Sequence, residues 1–292
     1  MRFRIVHHTE YLYRMPASES YAELRICPQT CETQTVLSHK LEITPHASVG
    51  HYTDYLGNIV EFFSIPYRHN RLIVRASAEV ETHEITPPAN ALGVTVAEAL
   101  QIYRSQMLPL YPYLRPTDRV PLHQVLLPLR RDFIKPAQNL GEAILDLNRW
   151  VRKHFKYKPG ATDVGTPLAT FIRQRRGVCQ DFAHLMLGIL RTYGIPARYV
   201  SGYIEAYDPS TNADKLVGAT ASHAWVEVFL PGGFWWGLDP TNNQEAGPRH
   251  VKVAVGTDYV DAAPLKGTYK GDRGQELEVM VSVKRKKKQV TA

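Results

Sequence analysis

The spacing of apolar residues changes along this chain, and the change limits the folds that it can adopt. Up to about residue 86, apolar residues alternate with polar or small ones, as in the run from Leu72 to Val80. Such alternation is typical of strands with one buried face. From Asn139 apolar residues recur at helical spacing, and after Arg198 alternation returns. A β-rich region followed by helices and then strands predicts an α+β protein.

The first part of the chain, residues 1–90, is predicted to form an N-terminal antiparallel β-sandwich-like domain. Inside it, Gly57-Asn58 predicts a tight hairpin turn in which both residues adopt positive φ angles. Residues 91–137 are rich in proline, which interrupts long helices. This stretch is therefore predicted to be a connecting segment with short helical turns. Its prolines are Pro109, Pro112, Pro116, Pro121, Pro128 and Pro136.

Residues 138–262 are predicted to form a core of helices packed on an antiparallel sheet. The first helix runs from Leu140 to Phe155, with Asn139 and Glu142 as a capping box. A second begins at Thr166-Pro167 and stops near Gly177, and a third runs from Cys179 to Tyr193. The strands that follow are predicted at 198–205, 223–230 and 234–239. Residues 263–292 are predicted to contain a last strand, through Leu277 to Val283, and a solvated basic tail at 284–288.

The charge and hydropathy of the chain exclude several kinds of partner. Lys and Arg total 35 against 28 Asp and Glu, and five of the basic residues lie together at 284–288. The rest of the chain is close to neutral, so no nucleic-acid partner is expected. No apolar run approaches the roughly 18 residues needed to span a bilayer, so no membrane span is expected. The first eight residues do not have the pattern of a secretory signal.

The three cysteines, Cys27, Cys31 and Cys179, are an odd number and are widely spaced. This pattern argues against a disulfide framework and fits a reducing compartment, so a cytoplasmic location is expected. Cys27 and Cys31 have three residues between them, and no second cysteine pair follows. The spacing gives little support to a metal site there, and both are expected to be ordinary strand or loop residues.

Cys179 is the residue best placed for nucleophilic chemistry. It follows Gly177-Val178 and opens an amphipathic helix, where unpaired N–H groups and the helix dipole favour a thiolate. Asp181 in the same turn opposes this effect. A helix end alone would therefore not suffice, and a protonatable partner is required.

Two histidines compete for the role of that partner. His184 lies five residues further along the helix, about 140° around its axis from Cys179, so it points away from the sulfur. His223 opens a later strand whose other face is apolar. A three-residue loop would pair Leu230 with Phe234 and bring Asp239 diagonally beside His223, whereas a two-residue loop would place Asp239 on the opposite face. A triad of Cys179, His223 and Asp239 therefore predicts the register of this hairpin.

Several segments resemble the core of the transglutaminase-like superfamily. They are 177–183 (GVCQDFA), 190–203 (LRTYGIPARYVSGY), 222–227 (SHAWVE) and 238–241 (LDPT). Outside the core, Tyr11-Leu12-Tyr13, 54–58 (DYLGN), 255–261 (VGTDYVD) and 264–267 (PLKG) resemble bacterial members described as transglutaminase-like proteins or candidate cysteine proteases. The resemblance implies a papain-like core in which Cys179 is the nucleophile, His223 the base and acid, and Asp239 the orienting carboxylate.

The resemblance also implies the reaction, which is acyl transfer or hydrolysis at a peptide or isopeptide amide through a thioester. A peptide or protein substrate is expected, with no cofactor and no metal, and hydrolysis is preferred. Three alternatives remain open: transfer to an amine acceptor, as in a protein-glutamine transglutaminase; acyl transfer to small amines, as in arylamine acetyltransferases; and a non-catalytic peptide-binding module. The main-chain N–H of Cys179 is expected to donate to the oxyanion, while Gln174 has only weak support as a second donor.

Overall fold

The structure is a computed structural model, and it combines a β-sandwich with a core of helices on a sheet, which confirms the predicted α+β class. It describes residues 1–122, 126, 129, 133–205, 216–217, 222–272 and 274–286. In these described residues no helix is long and apolar enough to cross a bilayer. The domain boundaries at 90, 137 and 262 stay predictions.

The sandwich is organised around one long strand that belongs to both of its layers. The first half of β1 (Arg2–Leu24) pairs with β5 (His69–Thr82), and β2 (Gln34–Thr44) adds to β5. The second half of β1 pairs with β4 (Ile59–Ile65), and β3 (Val49–Thr53) adds to β4. All these pairings are antiparallel. Apolar side chains from both layers meet in the interior, where Val74 and Phe63 are each 1% exposed.

The turn between β3 and β4 follows the prediction at one residue and not at the other. Gly57 has the expected positive φ, 85°, but Asn58 does not. The Oδ1 atom of Asp54 accepts hydrogen bonds from the N–H groups of Leu56 and Asn58. The Asp54 carboxylate thus closes a loop that is longer than the predicted tight turn. The prediction of positive φ at Asn58 was therefore wrong.

The connecting segment contains short helical elements, as predicted. They are α1 (Ala89–Gly93), α2 (Val96–Ser105), α3 (Met107–Leu110) and a single 3₁₀ turn at Tyr111–Tyr113. The longest of these, α2, begins with a capping box in which Thr95 and Glu98 bond each other's backbone N–H groups. Pro128 lies outside the described residues.

The core is a five-stranded antiparallel sheet with α6 packed on β8 and β9. The order of its strands is β11-β10-β9-β8-β12. Most residues of α6 are buried, which makes it the central helix of the largest apolar cluster. The elements are α4 (Leu140–His154), β6 (Lys156–Tyr157), α5 (Leu168–Gln174), β7 (Arg176–Gly177), α6 (Cys179–Thr192), β8 (Ala197–Ile204), β9 (His223–Leu230), β10 (Phe234–Asp239), β11 (Gln244–Glu245) and β12 (His250–Gly256).

The three core helices lie where they are predicted, but two caps differ. The N-cap of α5 is Pro167, one residue after the predicted Thr166. The side chain of Asn139 makes no capping hydrogen bond at the start of α4. Instead, the N–H of Leu140 donates to the carbonyl of Val94, 2.8 Å away, and Asn139 forms a backbone bridge with Thr95. The predicted capping box was wrong because the connecting segment, which is far away in sequence, satisfies this helix end.

The C-terminal part of the chain returns to the sandwich. Strands β13 (Leu265–Lys270) and β14 (Gln275–Arg285) both pair antiparallel with β1. The predicted strand through Leu277 to Val283 is confirmed, whereas β13 was not predicted. The expectation of a solvated tail was wrong at Arg285, whose Nε donates to Glu205 Oε1 at 3.0 Å. Lys287 and Lys288 of the basic run lie outside the described residues.

Two buried amide side chains hold the sandwich against β12. Asn58 donates to the carbonyl of Val255 at 2.8 Å and accepts from its N–H at 2.7 Å. Gln34 makes the same pair of bonds with Lys252, at 2.7 and 2.8 Å. Each amide thus bonds a backbone N–H and a backbone C=O of β12 that would otherwise be buried without hydrogen-bond partners. These contacts fix β12, which forms one edge of the core sheet, to the sandwich.

Candidate active site

Cys179 is the first residue of α6 and lies at a tightly anchored helix tip. The preceding residue, Val178, is extended, and its N–H donates to Asp181 Oδ2 at 2.8 Å. Thr162 donates to the same oxygen at 2.6 Å. Asp181 therefore binds the helix tip to the loop before α5. Cys179 itself is 7% exposed.

Gly177 allows this close packing beneath the helix tip. A Cβ atom at this position would lie 2.4 Å from Asp181 Oδ2 and 2.7 Å from the Phe171 ring. Both distances are far shorter than van der Waals contact. A larger residue would therefore displace the carboxylate that anchors the turn of Cys179.

The hairpin of β9 and β10 has the register that the triad prediction required. Leu230 pairs with Phe234 across a three-residue loop. His223, at the start of β9, and Asp239, at the end of β10, come together, with His223 Nε2 2.8 Å from Asp239 Oδ2. Their side chains are both 0% exposed.

Within the described part of the chain, five donors surround the Asp239 carboxylate. The N–H groups of Thr241 and Asn242 donate to Oδ1, at 3.0 and 3.2 Å. Oδ2 faces His223, the side-chain amide of Asn242 at 2.7 Å and His250 Nε2 at 3.2 Å. Burial alone would raise the pKa of Asp239, but the His223 charge and these hydrogen bonds outweigh burial and hold the pKa far below its usual range. Asp239 is therefore a fixed carboxylate.

The His223 ring is held between Asp239 and Cys179. Burial opposes the protonated ring, but the charge and hydrogen bond of Asp239, followed by the interaction with Cys179, raise the pKa of His223 to about 10. Nε2 is already taken by Asp239, and Nδ1 is buried without a hydrogen-bond partner among the described residues. Nδ1 is thus the nitrogen available to the Cys179 thiol.

The competing histidine, His184, occupies a different environment. Its Nε2 atom accepts a hydrogen bond from the N–H of Tyr259 at 3.2 Å. Burial, assisted by the charges of Arg191 and Arg119, lowers the pKa of His184 to about 3. It is a neutral hydrogen-bond acceptor between α6 and the loop after β12, and this environment does not suit a general base.

His250 was not singled out from the sequence, because a lone histidine at the start of a strand carries no motif. It is the first residue of β12, and its ring packs edge-on against Trp225 with centroids 5.3 Å apart. Burial lowers its pKa, so the ring is neutral beside Asp239. His250 thus gives the carboxylate a donor from a third strand.

Two groups of described side chains have the ligand types and spacing to hold a metal ion. One consists of His223, Asp239 and His250, and the other of Cys27, His39 and Glu61; within each group the ligand atoms lie within 4.8 Å of one another. In the first group, both imidazoles already bond the same carboxylate. Gln174, in the last turn of α5, has a buried Nε2 atom without a partner among the described residues.

The sequence matches two known families and closely related chains. Residues 128–240 match the Transglutaminase-like superfamily, and residues 3–81 match the Bacterial transglutaminase-like N-terminal region. An uncharacterized protein of Mycobacterium leprae is 36% identical over 287 residues, which cover 97% of this chain and 99% of the relative. A protein-glutamine gamma-glutamyltransferase of Pseudomonas aeruginosa is 34% identical over 128 residues, 41% of this chain and 19% of the relative.

One solved structure supports the fold over nearly the whole chain. It is a candidate cysteine protease from Cytophaga hutchinsonii, with a TM-score of 0.75 and 23% identity, covering 98% of this chain and 92% of that one. The chain belongs to the transglutaminase-like superfamily and has the N-terminal β-region of its bacterial members. At this coarse level it is a cysteine-dependent enzyme.

Proposed function

We propose that the protein hydrolyses peptide or isopeptide amides through an acyl-thioester on Cys179, with His223 as acid and base and Asp239 as the orienting carboxylate. The observation that carries the proposal is the placement of His223: one ring nitrogen bonds the buried Asp239, and the other is left for a thiol at a helix tip. A nucleophile, a base and a group that orients the base are the parts that thiol acyl transfer requires.

Thiol acyl transfer proceeds through the thiolate form of Cys179 beside the imidazolium form of His223. His223 retains its proton well above neutral pH because Asp239 and Cys179 both favour the charged ring. The N-terminal end of α6 adds a positive potential at the sulfur. Asp239 prefers the Nε2–H tautomer and fixes the ring plane, which leaves Nδ1 to exchange a proton with the thiol.

The reaction then proceeds in two halves. The sulfur attacks the amide carbonyl, the C–N bond breaks, and the imidazolium gives its proton to the departing amine or ammonia. Water next attacks the thioester, gives one proton to His223, and releases the carboxylic acid and the Cys179 thiolate. In both halves we assign the main-chain N–H of Cys179 as a donor to the oxyanion.

Amine transfer is the second candidate, and the similarity to the Pseudomonas aeruginosa glutamyltransferase favours it. The first half-reaction is the same for a glutamine side chain, with ammonia as the leaving group. The second half differs only in the acceptor, which is an amine in place of water. The two candidate reactions therefore use the same site and differ only in whether water or an amine attacks the thioester.

Mass spectrometry of peptide products separates the two candidates. Peptides with and without glutamine are incubated with the protein, in the presence and absence of a primary amine. Hydrolysis predicts, without added amine, either cleavage of the peptide or conversion of glutamine to glutamate as water replaces ammonia. A mass gain that requires the amine, with no reaction in its absence, would assign amine transfer instead. Peptide binding with no product under any condition would support the non-catalytic alternative, and the Cys179→Ser chain is the matched control.

A further inference from the structure

A second group of reactive side chains lies in the sandwich, outside the candidate active site. Cys27 follows the end of β1, His39 lies on β2, and Glu61 lies on β4. The three come from separate segments, yet a sulfur, a ring nitrogen and a carboxylate oxygen lie within 4.8 Å of one another. The acyl-transfer proposal uses none of them.

The contacts within the group leave ligand capacity unused. His39 Nε2 lies 3.0 and 3.1 Å from the two oxygens of Glu61, while its Nδ1 is buried with no partner among the described residues. The Cys27 thiol makes a long contact of 3.5 Å with the carbonyl of Pro28. An ion pair accounts for His39 and Glu61, with Nε2 as the ring nitrogen that faces the carboxylate, but it does not account for the Cys27 thiol beside them.

The side chains of the group are largely buried, and each keeps a small exposed fraction. Cys27 is 9% exposed, and the side chains of His39 and Glu61 are 14% and 11% exposed. Ligand atoms in a tetrahedral zinc site lie roughly 3.5 Å apart, and the three ligand atoms of this group lie within 4.8 Å of one another.

We propose that Cys27, His39 and Glu61 form a zinc site with a fourth position open to water. One thiolate, one imidazole and one carboxylate suit Zn²⁺, whereas Mg²⁺ and Ca²⁺ prefer oxygen ligands throughout. On binding, the Cys27 thiol and the His39 ring release their protons to solvent, and no redox change occurs. Cys31, the other cysteine of the sequence pair, is not a ligand, because its sulfur contacts Thr33 Oγ1 at 3.3 Å outside the group.

Cobalt substitution in the full chain tests this site. The Cys179→Ser chain is used so that Cys27 and Cys31 are the only thiols and the candidate active site cannot supply a thiolate. We expect one Co²⁺ per chain, with near-ultraviolet thiolate-to-metal absorption that is lost when Zn²⁺ displaces it. Adding Cys31→Ser should leave this absorption unchanged, whereas adding Cys27→Ser should abolish it.

Two further variants keep the test decisive if Cys27→Ser does not fold. His39→Gln and Glu61→Gln should each weaken Zn²⁺ binding at least about tenfold, since even outer-shell changes cost roughly 10- to 100-fold. Circular dichroism and the metal-free melting temperature report on folding. The proposal is overturned if the Cys179→Ser chain shows no thiolate absorption with Co²⁺, if the absorption survives Cys27→Ser, or if it disappears with Cys31→Ser. None of these outcomes bears on acyl transfer at Cys179.

Discussion

His223 Nε2 lies 2.8 Å from Asp239 Oδ2, and neither side chain is exposed to solvent. In such surroundings a carboxylate stabilises the protonated ring strongly, because no water competes for either partner. The relationship accounts for the raised pKa of His223 and the lowered pKa of Asp239. It also makes the proton on His223 the property of the site that is simplest to test.

The pH dependence of activity should follow that proton. Because the pKa of His223 is raised to about 10, kcat/KM should stay high in mildly alkaline solution and fall as the pH passes about 10. Asp239→Asn removes the charge that holds the proton on His223. The pH at which kcat/KM falls on the alkaline side (the alkaline limb of the pH profile) should therefore decrease by at least about one unit. Exposed Asp163→Asn is the control and should leave the limb in place. An unchanged limb in Asp239→Asn would contradict the assigned role of the carboxylate.

The same pair should make folding stability depend on pH. The pKa of His223 is higher in the folded protein, about 10, than its ordinary value of 6.5. Its contribution is therefore fully present below pH 6.5 and is lost as the pH rises to about 10. Urea unfolding of the native chain and of His223→Gln across this window should show a difference that shrinks as the pH rises. A stability difference that grows as the pH rises would contradict the raised pKa of His223.

His250 should matter because it donates to Asp239 from β12. Removing this donor with His250→Leu leaves part of a buried carboxylate unpaired, and we expect it to lower the free energy of unfolding by about 1–3 kcal/mol. It should also lower kcat with little change in KM, and His250→Gln should recover part of both. Exposed His51→Leu is the control for histidine replacement. If His250→Leu and His250→Gln changed the free energy of unfolding and kcat equally, His250 would act through packing alone and not as a donor to Asp239.

Gly177→Ala should disturb the helix tip that bears Cys179. The added methyl group would meet Asp181 Oδ2 and the Phe171 ring, so we expect a loss of about 1–3 kcal/mol in unfolding free energy and a lower rate of thiol alkylation. Gly93→Ala is the matched control, because no atom of another described residue outside its own helix turn lies within 4 Å of the added Cβ. Native stability in Gly177→Ala would show that the turn adapts easily.

Glu227 should stabilise the core sheet through two cations. Its carboxylate lies 2.6 Å from Arg198 Nη2 and 2.9 Å from Lys252 Nζ, and its side chain is 5% exposed. Glu227→Ala leaves both cations without their partner, and we expect a loss of about 3 kcal/mol in urea unfolding. The exposed pair of Lys40 and Glu42 gives the control, since Glu42→Ala should leave stability unchanged. If Glu227→Ala left the free energy of unfolding unchanged, solvent would stabilise the charges of Arg198 and Lys252 as well as Glu227 does.

The sequence was informative where local patterns decide the structure. The apolar spacing located α4 and α6, and the three-residue loop set the register that brings Asp239 to His223. The catalytic roles of these residues and the cytoplasmic location stay predictions. Contacts between distant segments were not predictable, because no local pattern records them. Examples are the donor from His250, the return of β13 to β1, and the meeting of Cys27 with His39 and Glu61.

The rate of iodoacetamide labelling at each cysteine, followed by peptide mass spectrometry near neutral pH, tests the central claim most directly. We predict that Cys179 reacts much faster than Cys27 and Cys31 in the native, metal-free protein, although it is only 7% exposed. We also predict that His223→Ala slows Cys179 to the rate of the other two. Equal slow labelling of all three cysteines in the native chain, or fast labelling of Cys179 that persists without His223, would contradict the account.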